Sequence, residues 1–197
     1  MKVYFARHGQ YQNPLQVVPY RLEGFPLTEL GKEQAAKQGE LLNAHKIRDI
    51  FNSPIERCVE TAGIIGAILS LHPNQKSELI ETGTPLQGLS QSELANLSPN
   101  FPYDIPSHIE GGGESIEVIF ERMNNFVNSL KSMSKNSSHL IVSHGDPIQI
   151  YLTTTLTKNL PRTDADFNQG KIRYIPMGGL VMLDFSQKDS PKYHELI

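Results

Sequence analysis

A chain of 197 residues, 38% hydrophobic and 20% charged, is long enough for one ordinary domain with a substantial core and too apolar for a disordered tail. A formal net charge of −3, with no long basic run, argues against nucleic acid or an anionic membrane as the main partner. The single cysteine, Cys58, excludes an internal disulfide and disfavours a thiolate zinc site. The N-terminus turns polar at Arg7, too early for a signal-peptide core, and no apolar run has the length of a membrane span. A cytoplasmic protein is therefore expected.

In chain order, Val3-Tyr4-Phe5-Ala6 reads as a buried strand that ends on Arg7-His8-Gly9. A proline-rich loop follows to Phe25-Pro26. Thr28 suits the N-cap of a helix carrying Ala35, Ala36, Leu41 and Leu42. Asp49 to Asn52 is a short strand closed by Ser53-Pro54, with Pro54 expected in the first turn of a helix whose stripe is Cys58, Ala62, Ile65 and Leu69. Ser77 to Glu81 reads as a third strand. Residues 82–113 are rich in Gly, Pro, Ser and Asn, with a short helix near Ser92 to Leu97, and such an insertion in a compact domain reads as a lid or binding loop. Ile116, Ile119, Phe120, Met123, Phe126, Val127 and Leu130 form the strongest helical stripe. A second buried strand, Leu140 to Ser143, again ends on His144-Gly145, and Pro147 suits the first turn of the next helix. Residues 158–170 form a second excursion, Gly179 to Phe185 a last strand, and the tail carries no signal.

Strand and helix alternate almost throughout. That predicts an α/β fold: a three-layer α/β/α sandwich on a mostly parallel sheet, one domain over residues 1–197. In such folds ligands gather at the carboxyl ends of the strands, where Arg7, His8, Ser53, Glu81, Ser143 and His144 all fall. Two histidines delivered by two similar strands suit phosphoryl transfer. A neutral imidazole can attack phosphorus, since its ordinary pKa is about 6.5. Arg7 and Arg57 supply planar, permanently charged donors for the phosphoryl oxygens. His144 can donate to an oxygen in the transition state, and Glu81 can protonate the leaving alkoxide. No metal or other cofactor is required.

These residues resemble the histidine phosphatase superfamily, which includes the cofactor-dependent phosphoglycerate mutases. Arg7-His8-Gly9 resembles its signature. So do Pro26-Leu27-Thr28-Glu29-Leu30-Gly31 with Gln34-Ala35, Ser53-Pro54 with Arg57 and Glu60-Thr61-Ala62, Gly113-Glu114-Ser115 with Arg122, and Val142-Ser143-His144-Gly145. Each is weak alone; five in the family's order are specific. The resemblance implies a phosphoglycerate mutase-like fold, phosphorylation of His8, a phosphate pocket completed by Arg7, Arg57 and His144, and Glu81 as proton donor. It also implies Asn13 as a phosphate ligand, although Asn13 stands one place earlier than the family's asparagine. The turn from Glu81 to Gly88 is about one residue shorter than the family's, which leaves Glu78 as the alternative acid.

Residues 82–113 contain no Lys or Arg. A mutase must grip a second anionic group while its substrate reorients, and unpaired charges are costly to desolvate. Hydrolysis of a phosphomonoester is therefore expected, with Tyr103 and His108 as lid contacts and Arg21, Arg162 and Arg173 as cations from elsewhere. The alternatives are a phosphoglycerate-type mutase and a non-catalytic module that keeps only the phosphate pocket. The expected partner is a small phosphorylated substrate, a phosphorylated protein being compatible; the oligomeric state is left open. Ser143 beside His144 is not a serine-hydrolase pair, because neighbouring strand residues face opposite ways and no nucleophile elbow is present. Cys58 is expected in the core.

Overall fold

A computed structural model describes residues 1–97, 103, 108, 110–133, 137–168, 172–186 and 190–197. Six strands form one sheet: β1 (Lys2–Arg7), β2 (Ile47–Asn52), β3 (Pro73–Gln75), β4 (Ser138–Ser143), β5 (Leu180–Asp184) and β6 (Lys192–Glu195). Their order is β3-β2-β4-β1-β5-β6. The pairs β3–β2, β2–β4 and β4–β1 are parallel, whereas β1–β5 and β5–β6 are antiparallel. The described helices are α1 (Glu29–Leu42), α2 (Glu56–Leu69), α3 (Gln91–Leu97), α4 (Ile116–Met133) and α5 (Gly145–Thr157).

Strand β1 is apolar at successive positions because it is covered on both faces, as inner strands of parallel sheets are. Its odd residues, Val3 and Phe5, pack with Met123 and Val127 of α4 and Ile148 and Leu152 of α5. Its even residues, Tyr4 and Ala6, pack with Leu42 of α1 and Cys58, Ala62 and Ile65 of α2. Each fully buried large side chain stabilises the fold by about 1.5–3 kcal/mol relative to an exposed one. The result is the expected α/β/α sandwich.

Register decides where the histidines go. Arg7 lies opposite Ser143 in the β1–β4 ladder, so His8 and His144 step off adjacent parallel strands at one level. Ser53 joins them, its amide donating to the Val142 carbonyl at 3.0 Å. Helix α5 takes His144 as an N-cap that makes no side-chain capping bond, and so its imidazole is free for other partners.

Two local expectations fail, and the tail adds a strand that carried no signal. Residues 77–79 form a 3₁₀ turn, and the edge strand is Pro73–Gln75. Leu79 alone of Ser77, Glu78 and Leu79 is buried, so the segment turns one side chain inward instead of alternating. Pro54 precedes the helix, whose N-cap is Ile55. The tail contributes β6, a short edge strand with exposed ends that pairs with β5. Helix α3 lies close to the expected span. Of the expected lid, residues 98–102, 104–107 and 109 lie outside the described residues, as do residues 169–171 of the second excursion.

Candidate active site

The loop that carries His8 is held by the motif residues around it. The Gly9 amide donates to Thr61 Oγ1 at 3.1 Å, the Gln10 amide to Gln34 Oε1 at 2.8 Å, and the Leu27 amide to Glu60 Oε2 at 2.8 Å. Gln38 Nε2 donates to the carbonyls of Arg7 and Gly179. Gly9 and Gly31 lie back to back: a Cβ on Gly31 would strike the Gln10 carbonyl, and one on Gly9 would strike the Gly31 carbonyl. The loop can approach α1 this closely only because both positions lack side chains.

His8 and His144 sit with ring centroids 5.2 Å apart and planes inclined at 62°. His8 Nδ1 is 2.8 Å from the Gly9 carbonyl, and Arg57 Nε lies 3.2 Å from His8 Nε2. A guanidinium only donates and a carbonyl only accepts, so the proton is on Nδ1 and the lone pair on Nε2. The same logic applies to His144: Arg57 Nη2 is 3.1 Å from its Nδ1, and its Nε2–H donates to Ser53 Oγ at 2.8 Å. Burial, reinforced by Arg57, holds both imidazoles well below their usual pKa, with smaller contributions from Arg7 and, for His144, from His8. Both are neutral at ordinary pH.

Arg57 is 1% exposed, and its Nη2 also donates to the Tyr20 carbonyl at 2.7 Å. Arg57 Nη1 and Arg7 Nε are buried donors with no partner among the described residues. Arg7 is steered by the Ile175 carbonyl at 2.9 Å and by the Tyr174 ring, whose centroid is 5.4 Å from the guanidinium carbon. Orphaned buried donors typically cost about 1–3 kcal/mol each, more when charged. Two guanidinium groups with open N–H valences beside two imidazoles form a setting that a polyoxyanion would satisfy.

Glu81 completes the cluster. Its Oε2 lies 3.5 Å from His144 Nδ1 and 3.7 Å from Arg57 Nη2, while its Oε1 accepts from the Thr82 amide at 2.9 Å. Burial first and the charge of Asp146 second push its pKa up to about 7, against the opposing pull of Arg57. Such a group can both carry and release a proton near neutrality.

His8, His144, Arg7, Arg57 and Glu81 are thus brought together, while most of the remaining candidates have other partners, Arg21 Nε donating to the Glu81 carbonyl at 2.6 Å. Both ends of the Asn13 amide are engaged by Val17, at 2.7 and 3.2 Å, closing a local ring at the base of the 13–24 loop. Glu78 accepts from Ser77 Oγ at 3.3 Å, and its carbonyl takes Arg122. Tyr103 and His108 are buried ties: Tyr103 donates to Asp146 at 2.6 Å, and His108 bonds Thr84 and the Glu114 carbonyl at 2.9 Å each. Arg21 and Arg122 are both matched by Glu114, and Arg162 by Glu117. Ser143 turns away to the Leu79 carbonyl.

Several neighbours carry little sequence signal. Tyr11 lies under Arg57 at 5.3 Å and beside the His8 ring at 5.5 Å. Tyr20 and Tyr174 come from loops with no periodicity. Asp146 alone could have been suspected, standing two residues after His144.

Residues 3–174 match the model of the histidine phosphatase superfamily (branch 1), and the chain belongs to that family. The "Probable phosphoglycerate mutase GpmB" of Proteus mirabilis is 30% identical over 166 residues, covering 79% of this chain and 75% of that protein. The "Uncharacterized phosphatase PhoE" of Bacillus subtilis is 27% identical over 157 residues, covering 77% of this chain and 75% of its own. Among solved structures, a mycobacterial glucosyl-3-phosphoglycerate phosphatase aligns with a TM-score of 0.77 at 21% identity, over 100% of this chain and 97% of that one. The alpha-ribazole phosphatase of Shigella flexneri aligns at 0.79 and 21%, over 100% and 96%. At such identity the likeness is one of fold.

Proposed function

We propose that the protein hydrolyses phosphomonoesters through a phosphohistidine intermediate on His8. The observation that carries this reading is the tautomer of His8: Nδ1 is committed to the Gly9 carbonyl, which leaves the Nε2 lone pair beside His144, Arg57 and Glu81. In the first step Nε2 bonds to phosphorus as the ester P–O bond breaks. Arg7 and Arg57 bind the equatorial oxygens, where negative charge spreads, and His144 donates to them from Nδ1 once the bound anion draws a proton onto its ring. Glu81 gives its proton to the departing alkoxide. In the second step the resulting carboxylate takes a proton from water, whose oxygen bonds to phosphorus while the N–P bond breaks. Inorganic phosphate leaves and Glu81 is protonated again.

Hydrolysis is favoured over mutase chemistry by the state of the nearby cations. Arg21 and Arg122 share Glu114, Arg162 is paired with Glu117, and residues 82–113 carry no Lys or Arg. A second anionic group on the substrate would find few uncommitted cations beside the reacting centre. The likeness to GpmB keeps a phosphoglycerate-type mutase as the second reading. A panel of phosphomonoesters that includes both monophosphoglycerates separates the two. The expected outcome is phosphate release, lost in His8→Ala, without interconversion of the phosphoglycerates. Interconversion without net phosphate release would contradict the proposal. In this reading residues 82–113 serve as a lid, and the partner is a small phosphorylated molecule.

A further inference from the structure

Asp146 occupies the first turn of α5, and both of its oxygens are claimed by tyrosines from distant segments. Tyr103 donates to Oδ2 at 2.6 Å and Tyr174 to Oδ1 at 2.5 Å. Each tyrosine also touches the reacting cluster. The Tyr174 ring lies against the Arg7 guanidinium, and the Tyr103 hydroxyl meets Thr82 Oγ1, next to Glu81, at 3.1 Å. Asp146 is therefore the node between the cation side and the acid side of the site. The motif logic of the two histidines and two arginines gives it no role.

Glu81 is faced from every side by groups that bear on its proton. Arg57 and His144 lie within 4 Å, and the charge of Arg7 adds to the pull on its proton. Tyr11, Tyr20, Tyr103 and Tyr174, together with Cys58 and Arg122, also sense its charge. Among these neighbours Asp146 supplies the opposing negative charge. With two imidazoles neutral and two guanidiniums close by, burial first and the Asp146 charge second oppose the pull towards the carboxylate form, which cannot protonate an alkoxide.

We propose that Asp146 is a positioning residue of the hydrolytic site, fixing Arg7 through Tyr174 and the Glu81 segment through Tyr103. This rests on the phosphomonoesterase reading, and it adds the group that sets the upper pH limit of turnover. Like charges set close together in a weakly screened interior disfavour a second ionisation, which gives the effect its sign.

The test compares pH–rate profiles of wild type and Asp146→Asn on an alkyl phosphate such as glycerol 2-phosphate. Removing the charge moves the alkaline limb towards acid, and the share of maximal activity kept at pH 8 falls about 3- to 10-fold. Tyr174→Phe, which keeps the carboxylate, lowers kcat but leaves the limb unshifted towards acid. A folded Asp146→Asn enzyme with its limb in the wild-type place would overturn the proposal, and so would an equal acid shift in Tyr174→Phe. Asp146→Ser, smaller and equally uncharged, carries the same test if the asparagine variant fails to fold. Carbon NMR of labelled Glu81 reads its titration without turnover, with an unchanged midpoint in Asp146→Asn counting as refutation. Failure of the hydrolase reading looks different: wild type that releases no phosphate, or a His8→Ala variant as active as wild type.

Discussion

At His8 the chemistry turns on which ring nitrogen holds the proton, and the backbone carbonyl of the next residue decides it. A nucleophile oriented by its own loop needs no separate base. What it needs is a good leaving group or an acid to make one, which is the part proposed for Glu81. Glu81→Gln is therefore expected to lower kcat on alkyl phosphates by about 100-fold or more and on p-nitrophenyl phosphate by under about 10-fold. Equal losses on both would remove Glu81 from the acid role. The same residue makes a stability prediction. Its folded pKa of about 7 lies above its ordinary value of 4.5, so its contribution is fully present below about pH 4.5 and is lost as pH rises through 7. Denaturation midpoints should shift in favour of Glu81→Gln by up to roughly 3 kcal/mol between pH 5 and pH 8.5, with no drift expected if Glu81 is ordinary. His8, His144 and Arg57 were legible as a group because each closes a strand or opens a helix at a marked turn, whereas Glu81 was found through a strand that is in fact a 3₁₀ turn. The meeting of Asp146 with Tyr103 and Tyr174 was not legible, because it depends on segments that converge without periodicity, although Tyr103 was expected as a lid contact. Asn13 bonds Val17 for a physical reason: a short amide satisfies nearby backbone as readily as a ligand.

The elements around His8 work as a clamp. The loop after β1 is pressed onto α1 through Gly9 and Gly31 and onto α2 through Thr61. Gly31→Ala must push the Gln10 carbonyl away and is expected to cost about 1–3 kcal/mol. Thr61→Val keeps the shape but leaves the buried Gly9 amide without its acceptor, costing a similar about 1–3 kcal/mol. Because that amide positions the nucleophile, kcat should fall about 10-fold or more in the same variant. Thermal melts and steady-state assays on folded Thr61→Val check both, and a destabilised variant with unchanged kcat would break the link between clamp and chemistry. Long periodic elements such as α4 were visible in the sequence because their stripe is unambiguous. Residues 77–79 and β6 were hidden because three or four residues at a sheet edge carry too little alternation to declare their state.

On the scale of the whole molecule, the sheet is the device that makes two residues 136 positions apart neighbours. Adjacent parallel strands in register bring His8 and His144 to one level, and helices on both faces keep that register fixed. A one-residue slip between β1 and β4 would exchange the side chains packed against α4 and α5 with those packed against α1 and α2, so the fit of each face protects the active geometry as well as the fold. Phe5→Ala, deep in β1, is expected to cost about 3–5 kcal/mol in denaturant titrations. The central claim is that His8 Nε2 is transiently bonded to phosphorus. It is tested most directly by quenching the enzyme in alkali during turnover of a phosphomonoester and locating the phosphoryl group by peptide mass spectrometry and phosphorus NMR. The account predicts phosphohistidine at His8, on Nε2. Phosphorylation of His144 or of another residue, or steady turnover with no phosphoenzyme at any time, would contradict it.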